Sequence, residues 1–170
     1  MIVLISGPTH TGKTLLAQQM LERYRMPYLS IDHLKMGLIR SGNTTLTPMD
    51  DDALTGYLWP IVREMIRTAL ENGQNLIVEG CYIPYNWQED FSDAERAQIR
   101  AVWLIFSRGY IERNFAQIKA KANAVEQRLD DSGLSMQELI EQNEAALYAC
   151  KTHGCPYRLI DEEYRVEFAL

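Results

Sequence analysis

Residues 7–14 read Gly7-Pro8-Thr9-His10-Thr11-Gly12-Lys13-Thr14, a complete G-x-x-x-x-G-K-[ST]. An apolar run of strand length, Ile2-Val3-Leu4-Ile5, precedes it, and Leu16, Met20 and Tyr24 follow at four-residue spacing. A strand feeding a glycine-containing turn that opens a helix is the context this motif requires. The two glycines let successive backbone N–H groups turn inward and ring a phosphate at the positive end of the helix. Gly7, Thr9, His10, Thr11, Gly12, Lys13 and Thr14 are therefore expected around a nucleoside triphosphate. Lys13 is expected to reach the β and γ phosphates, and the Thr14 hydroxyl to ligate Mg²⁺. A chance glycine-rich turn with an exposed lysine is the competing reading, and four fixed positions in the right context argue against it.

Working outward, 170 residues with 46% hydrophobic and 24% charged content suit one globular domain, 1–170, with a single substantial core. Met1 leads directly into the first strand, so no cleaved targeting segment is expected. The longest apolar run, Ala101 to Phe106, has strand length and falls short of the ~20 residues a membrane helix needs. A net charge of −6 leans against nucleic acid, whose binding rests on a basic surface. Three cysteines, Cys81, Cys150 and Cys155, are an odd and sparse set that suits a reducing cytoplasm better than a disulfide framework. Cys150, His153 and Cys155 are candidate zinc ligands. With Gly154 as a helix stop and no fourth ligand nearby, they read instead as a structural turn.

Four more strand-length runs follow: Tyr28 to Ile31, Leu76 to Val78, Ala101 to Phe106 and Tyr157 to Ile160. Helical patterns separate them. Val62, Met65, Ile66 and Ala69 trace one helix face that Gly73 should end, and Pro60 either opens that helix or kinks a longer one beginning near Asp50. Ser92-x-x-Glu95 and Ser135-x-x-Glu138 are capping boxes that mark helix starts near 93 and 136. Alternation of strands and helices predicts a three-layer α/β/α fold with a five-stranded parallel sheet.

Ligands of such sheets sit at the carboxyl ends of the strands. The first strand ends at the phosphate loop, the second at Ser30-Ile31-Asp32, the third at Val78-Glu79-Gly80, the fourth at Ser107-Arg108 and the fifth at Ile160-Asp161. Asp32 and Glu79 are candidates for a base and a ligand to the metal's water shell, against the alternative of solvated helix caps. Residues 108–134 hold Arg108, Arg113, Lys119, Lys121 and Arg128, five of the chain's 17 cations. That concentration is either a solvated helix face or a lid that closes over triphosphate.

With these pieces placed, the chain resembles the P-loop kinases of the nucleoside-monophosphate-kinase-like group, which includes adenylate, shikimate and gluconate kinases and zeta-toxin-like kinases. The resemblance implies strand order 2-3-1-4-5 in a P-loop NTPase fold, an acceptor-binding region at about 33–59 and a basic lid at about 108–134. Ser30-Ile31-Asp32-His33-Leu34-Lys35 resembles the strand-two motif, and Leu76-Ile77-Val78-Glu79-Gly80 the third-strand motif, with Glu where adenylate kinases have Asp. Tyr110-Ile111-Glu112-Arg113 resembles the start of the lid, which casts Arg113 as a transition-state arginine. The implied catalytic set is Lys13, Asp32 and Arg113, the metal set is Thr14 and Glu79, and the cofactors are ATP and Mg²⁺.

The acceptor side departs from the pattern. Adenylate kinases continue Gly-Phe-Pro-Arg after the third strand; this chain has Gly80-Cys81-Tyr82-Ile83-Pro84 and no arginine between Arg67 and Arg96. Lys35 stands where an arginine is usual, and an ammonium is a point charge in place of a bidentate clamp. Tyr82, Tyr85, Trp87 and Phe91 are either packing or an acceptor pocket, while Asp50, Asp51 and Asp52 suit a helix N-terminus. The sequence thus points to an ATP- and Mg²⁺-dependent phosphotransferase acting on a small-molecule acceptor, adenylate-kinase-like or directed at a metabolite hydroxyl such as a sugar, phosphorylated acid or antibiotic. A nucleotide-binding sensor with weak or lost catalysis is the reading from another class. ATP is favoured over GTP because no Asn-Lys-x-Asp motif occurs.

Overall fold

Ile2, Val3, Leu4 and Ile5 are apolar at every position, so their strand needs cover on both faces and belongs at the centre of a parallel sheet. The computed structural model of the chain describes residues 1–121 and 134–169. In it β1 (Ile2–Ser6) is flanked by β3 (Leu76–Glu79) and β4 (Ile99–Phe106), with β2 (Tyr28–Ser30) and β5 (Tyr157–Ile160) at the edges. All pairings are parallel and the order is β2-β3-β1-β4-β5, the order and architecture that the sequence and its resemblance imply.

Side-chain alternation along β1 divides the core in two. Val3 and Ile5 pack with α1 (Lys13–Tyr24) and α5 (Arg108–Ala120) through Leu16, Ala17, Met20, Tyr110, Ile111 and Ile118. Ile2 and Leu4 face α3 (Asp51–Glu71), whose Leu54, Leu58, Val62, Ile66 and Ala69 form one buried stripe. The remaining long helix, α6 (Met136–His153), contributes Leu139 and Ile140 to the first cluster and Ala146 and Cys150 to the second. No helix among the described residues is long and apolar enough to cross a membrane.

Several local readings resolve here. Pro60 lies inside one continuous helix, so the longer alternative is the one adopted. A proline has no N–H for the preceding turn, a cost this buried stripe outweighs. Both capping boxes form, but the first opens only a single turn, α4 (Asp93–Arg96), because the chain must enter β4 at Ile99. That strand starts two residues before the expected Ala101: exposed Arg100 hides its continuity in an apolar count. Ile31, assigned from sequence to the second strand, instead begins α2 (Ile31–Arg40).

The sheet places its functional edge through a mismatch in strand length. Pairing between β1 and β4 stops at Ser6 with Trp103, while β4 continues to Phe106. Trp103 and Ser107 direct their N–H groups to Pro156 and Ile160 on the β5 side, so the alternate Phe106 N–H faces the side that β1 has left. Asn143 of α6, itself 1% exposed, fills that gap: its Oδ1 accepts from Phe106 N–H at 2.8 Å and its Nδ2 donates to the Leu139 carbonyl at 2.8 Å. Asn143→Leu keeps the branched shape but strands a buried donor, and should cost about 1–3 kcal/mol in urea unfolding. An unchanged midpoint and slope would show that Asn143 is not needed to finish the strand.

Candidate active site

Residues 7–12 leave β1 as a tight loop whose shape is dictated at both ends. Gly7 has φ 134°, and a Cβ there would stand 2.2 Å from the Leu104 carbonyl oxygen. Gly12 has φ 84° and caps α1, and a Cβ there would overlap the Tyr164 hydroxyl. Either substitution is strained and blocked at once. Between them Thr11 Oγ1 donates to the Pro8 carbonyl at 2.9 Å, and Thr9 Oγ1 lies 2.9 Å from His10 Nδ1. Lys13 is 5% exposed and folds back over the loop, its Nζ donating to the same Pro8 carbonyl at 2.8 Å. The first turn of α1 has no acid, so the positive end of its dipole is not cancelled locally.

Beside this loop, β3 ends in Glu79, which is 1% exposed and pairs with Ile5 of β1. Thr14 Oγ1 donates to Glu79 Oε2 at 3.4 Å, across 65 positions of sequence. The two residues chosen from sequence as metal ligands are thus neighbours, and both offer hard oxygen donors of the kind Mg²⁺ prefers.

On the far side of β3 a polar chain runs through three elements. Asp32, in the first turn of α2, lies 2.6 Å from Lys35 Nζ. Lys35 also donates to the Tyr82 hydroxyl at 3.0 Å, and Tyr82 donates onward to Asp51 Oδ1 at 2.8 Å. Asp51 is the first residue of α3, so the chain ties α2 and α3 to the loop after β3. Tyr82 is 5% exposed; burial first, then its bond to Asp51, pushes its phenol well above the ordinary range. Of the four aromatics singled out from sequence, this one alone joins the polar chain. Tyr85 stacks on Trp103 at 6.0 Å and His153 at 6.4 Å, and Trp87 and Phe91 pack edge-on at 6.1 Å, so these three serve the core. Cys150 and Cys155 are buried in the same cluster, and Cys155 Sγ donates to the Tyr85 carbonyl at 3.0 Å.

The basic segment begins as α5, packed on the core by Tyr110, Ile111 and Ile118. Arg108 pairs with Glu144 of α6 at 2.8 Å. Arg113 is exposed, and its Nη2 donates to the Asp161 carbonyl at 2.7 Å, beside the end of β5. The Asp161 side chain accepts in turn from Ser107 Oγ. Arg128 and the rest of 122–133 lie outside the described residues. One neighbour of the loop escaped the sequence reading altogether: the Tyr164 hydroxyl donates to the Thr11 carbonyl at 3.1 Å. No motif marks it, because it lies in a short stretch after the last strand with only alternate apolar residues.

The chain belongs to the AAA domain family, whose profile matches residues 2–139. Its fold is that of the P-loop kinases. A protein from Chloroflexus aurantiacus provisionally assigned as a kinase is 21% identical, covering 96% of this chain and 88% of its own, with a TM-score of 0.53. Shikimate kinase from Bacteroides thetaiotaomicron is 15% identical, covering 95% and 85%, with a TM-score of 0.52. Deoxyadenosine kinase from M. mycoides is 11% identical, covering 95% and 90%, with a TM-score of 0.51. At these identities the likeness is one of fold. No curated protein matches the chain.

Because the folded value of Tyr82 lies above the unfolded one, the stability it lends is full below about pH 10 and is lost as pH rises. Difference absorbance at 295 nm between the parent and Tyr82→Phe should therefore show no phenolate step near pH 10, only one that accompanies unfolding. A reversible step near pH 10 in the folded parent, missing from the variant, would contradict the buried, doubly bonded phenol.

Proposed function

We propose that this chain is an ATP- and Mg²⁺-dependent kinase that transfers the γ-phosphoryl group to a hydroxyl of a small-molecule acceptor. The observation that carries this reading is the convergence at one sheet edge of residues 7–14, the Thr14–Glu79 oxygen pair and the Asp32–Lys35 pair. A phosphoryl transfer needs those parts: a cradle for the chain of phosphates, oxygen ligands for the cation and a group that orients the nucleophile.

Gly7 and Thr9 to Thr14 would hold the triphosphate, with loop N–H groups and the Lys13 ammonium directed at its oxygens. Lys13 gives up only a bond to the neutral Pro8 carbonyl to do so. Thr14 and Glu79 would hold Mg²⁺, which when bound supplies charge neutralisation on the β and γ oxygens. Asp32, anchored through Oδ1 by Lys35, would orient the acceptor hydroxyl and take its proton. Arg113 would serve the transferring group by exchanging its bond to the Asp161 carbonyl for a phosphoryl oxygen. Arg108 is less available, being ion-paired to Glu144.

A hydroxyl acceptor is favoured over a phosphate monoester within the acceptor region 33–59 and the loop after β3. Lys35, the cation that the strand-two motif supplies, is already shared between Asp32 and Tyr82. With that charge committed, Arg40 exposed at the far end of α2 and no arginine between Arg67 and Arg96, a second phosphate would find little to neutralise it.

ADP release from Mg·ATP, screened against nucleoside monophosphates, sugars, phosphorylated acids and antibiotics, identifies the acceptor. With that acceptor, Lys13→Ala should lower turnover at least ~10²-fold. Asp32→Asn should lower kcat by ~10²–10⁴ with ATP affinity little changed. Near-normal turnover in Lys13→Ala would defeat the kinase reading. Tight ATP binding with no acceptor-dependent ADP release would point to a nucleotide sensor.

A further inference from the structure

Beyond β5 the described residues 161–169 adopt no helix or strand, yet they are held at alternate positions from 164 to 168. Tyr164, Val166 and Phe168 are half-buried and pack on the α1 side of the core, while Arg165 and Glu167 between them are exposed. That period of two is an extended strap laid across the fold. Its lower end lies against Met20, Arg23 and Tyr24 of α1, where Tyr24 Oη donates to the Phe168 carbonyl at 3.4 Å. Its upper end reaches the phosphate loop. There the Tyr164 ring packs edge-on against Phe106 at 6.3 Å, and its hydroxyl donates to the Thr11 carbonyl at 3.1 Å. The approach is so close that a Cβ on Gly12 would lie 1.9 Å from that hydroxyl oxygen.

We propose that this C-terminal strap sets the phosphate loop in its binding conformation, with Tyr164 as the positioning residue for triphosphate affinity. The inference rests on reading residues 7–14 as the triphosphate site. In a trans peptide the C=O and the next N–H point in opposite directions. Tyr164 holds the Thr11 carbonyl toward the strap, so the Gly12 N–H is turned away from the strap and into the loop. Glycine at 12 is the residue least able to resist a flip of that peptide by itself. Without the phenol, flipped loops would dilute the competent one, and apparent affinity falls by the competent fraction. Burial pushes the Tyr164 phenol up to about 12, so it remains a protonated donor throughout the working pH range.

The test uses the full chain and Mg·ATP as probe, with calorimetric Kd, thermal midpoint and amide exchange over residues 7–14. Tyr164→Phe keeps the ring and deletes the hydroxyl. It should weaken Mg·ATP about 3–10-fold and speed exchange at Gly12, with the midpoint lowered by no more than a few degrees, as expected for one lost hydrogen bond. Tyr164→Ala should lose affinity and midpoint together. An unchanged Kd and exchange rate in Tyr164→Phe, with Tyr164→Ala lowering only the midpoint, reduces the strap to ordinary packing and overturns the inference. Failure of the parent itself to bind Mg·ATP is a separate result: it removes the triphosphate reading, and the role of Tyr164 falls with it.

Discussion

A bare α-carbon at residue 7 lets β1 turn out of the sheet directly against β4. The Leu104 carbonyl stands where any side chain at that position would begin. Everything at the functional edge follows from that contact. Because β1 stops and β4 continues, a space opens at the carboxyl edge between them, and the phosphate loop fills its upper side. The Phe106 N–H left facing that space is satisfied by Asn143, so the same mismatch also fixes α6 to the sheet. At the other end of the loop Gly12 is hemmed in by Tyr164 as Gly7 is by Leu104. The loop is thus bounded by backbone on one side and by a phenol on the other, with no room for a side chain at either glycine.

The charged groups around this edge fall into two kinds. Lys13 and Arg113 are bonded to neutral backbone carbonyls, of Pro8 and Asp161. A charged phosphate oxygen is a stronger acceptor for either cation than a neutral carbonyl, so such bonds are readily exchanged. Lys35 and Arg108 are instead ion-paired with Asp32 and Glu144. The half-buried Lys35 pair would leave a carboxylate uncompensated if it broke, which costs more. The distribution suits a nucleotide on the α1 side and a neutral hydroxyl on the α2 side.

How much of this was legible in the sequence depends on the range over which each feature is encoded. The strand–turn–helix form of residues 2–24 was legible, because an apolar run, two glycines and a helical spacing all fall within a short stretch of sequence. The layered parallel sheet followed from alternation, whereas the strand order came from the family resemblance, since apolar strands carry no label for their neighbours. Asp51 and Tyr82 were each noticed for another reason, as a helix N-terminus and a loop aromatic. Their bond spans 31 positions and needed the fold to appear. The partner of Arg113 is a backbone carbonyl, which has no sequence signature at all. Tyr164 was missed because three alternating apolar residues among acids are too few to register as a strand.

A crystal structure with Mg²⁺ and a non-hydrolysable ATP analogue would show whether residues 7–14 hold the triphosphate. The β and γ phosphates should be enclosed by residues 7–14, with Lys13 Nζ turned from Pro8 onto a phosphate oxygen. The cation should lie beside Thr14 Oγ1 on the side of Glu79, at the ~2.1 Å typical of Mg²⁺–oxygen bonds. A nucleotide bound elsewhere, or phosphates in the loop with Lys13 still on the Pro8 carbonyl and the cation remote from Thr14 and Glu79, would contradict this placement.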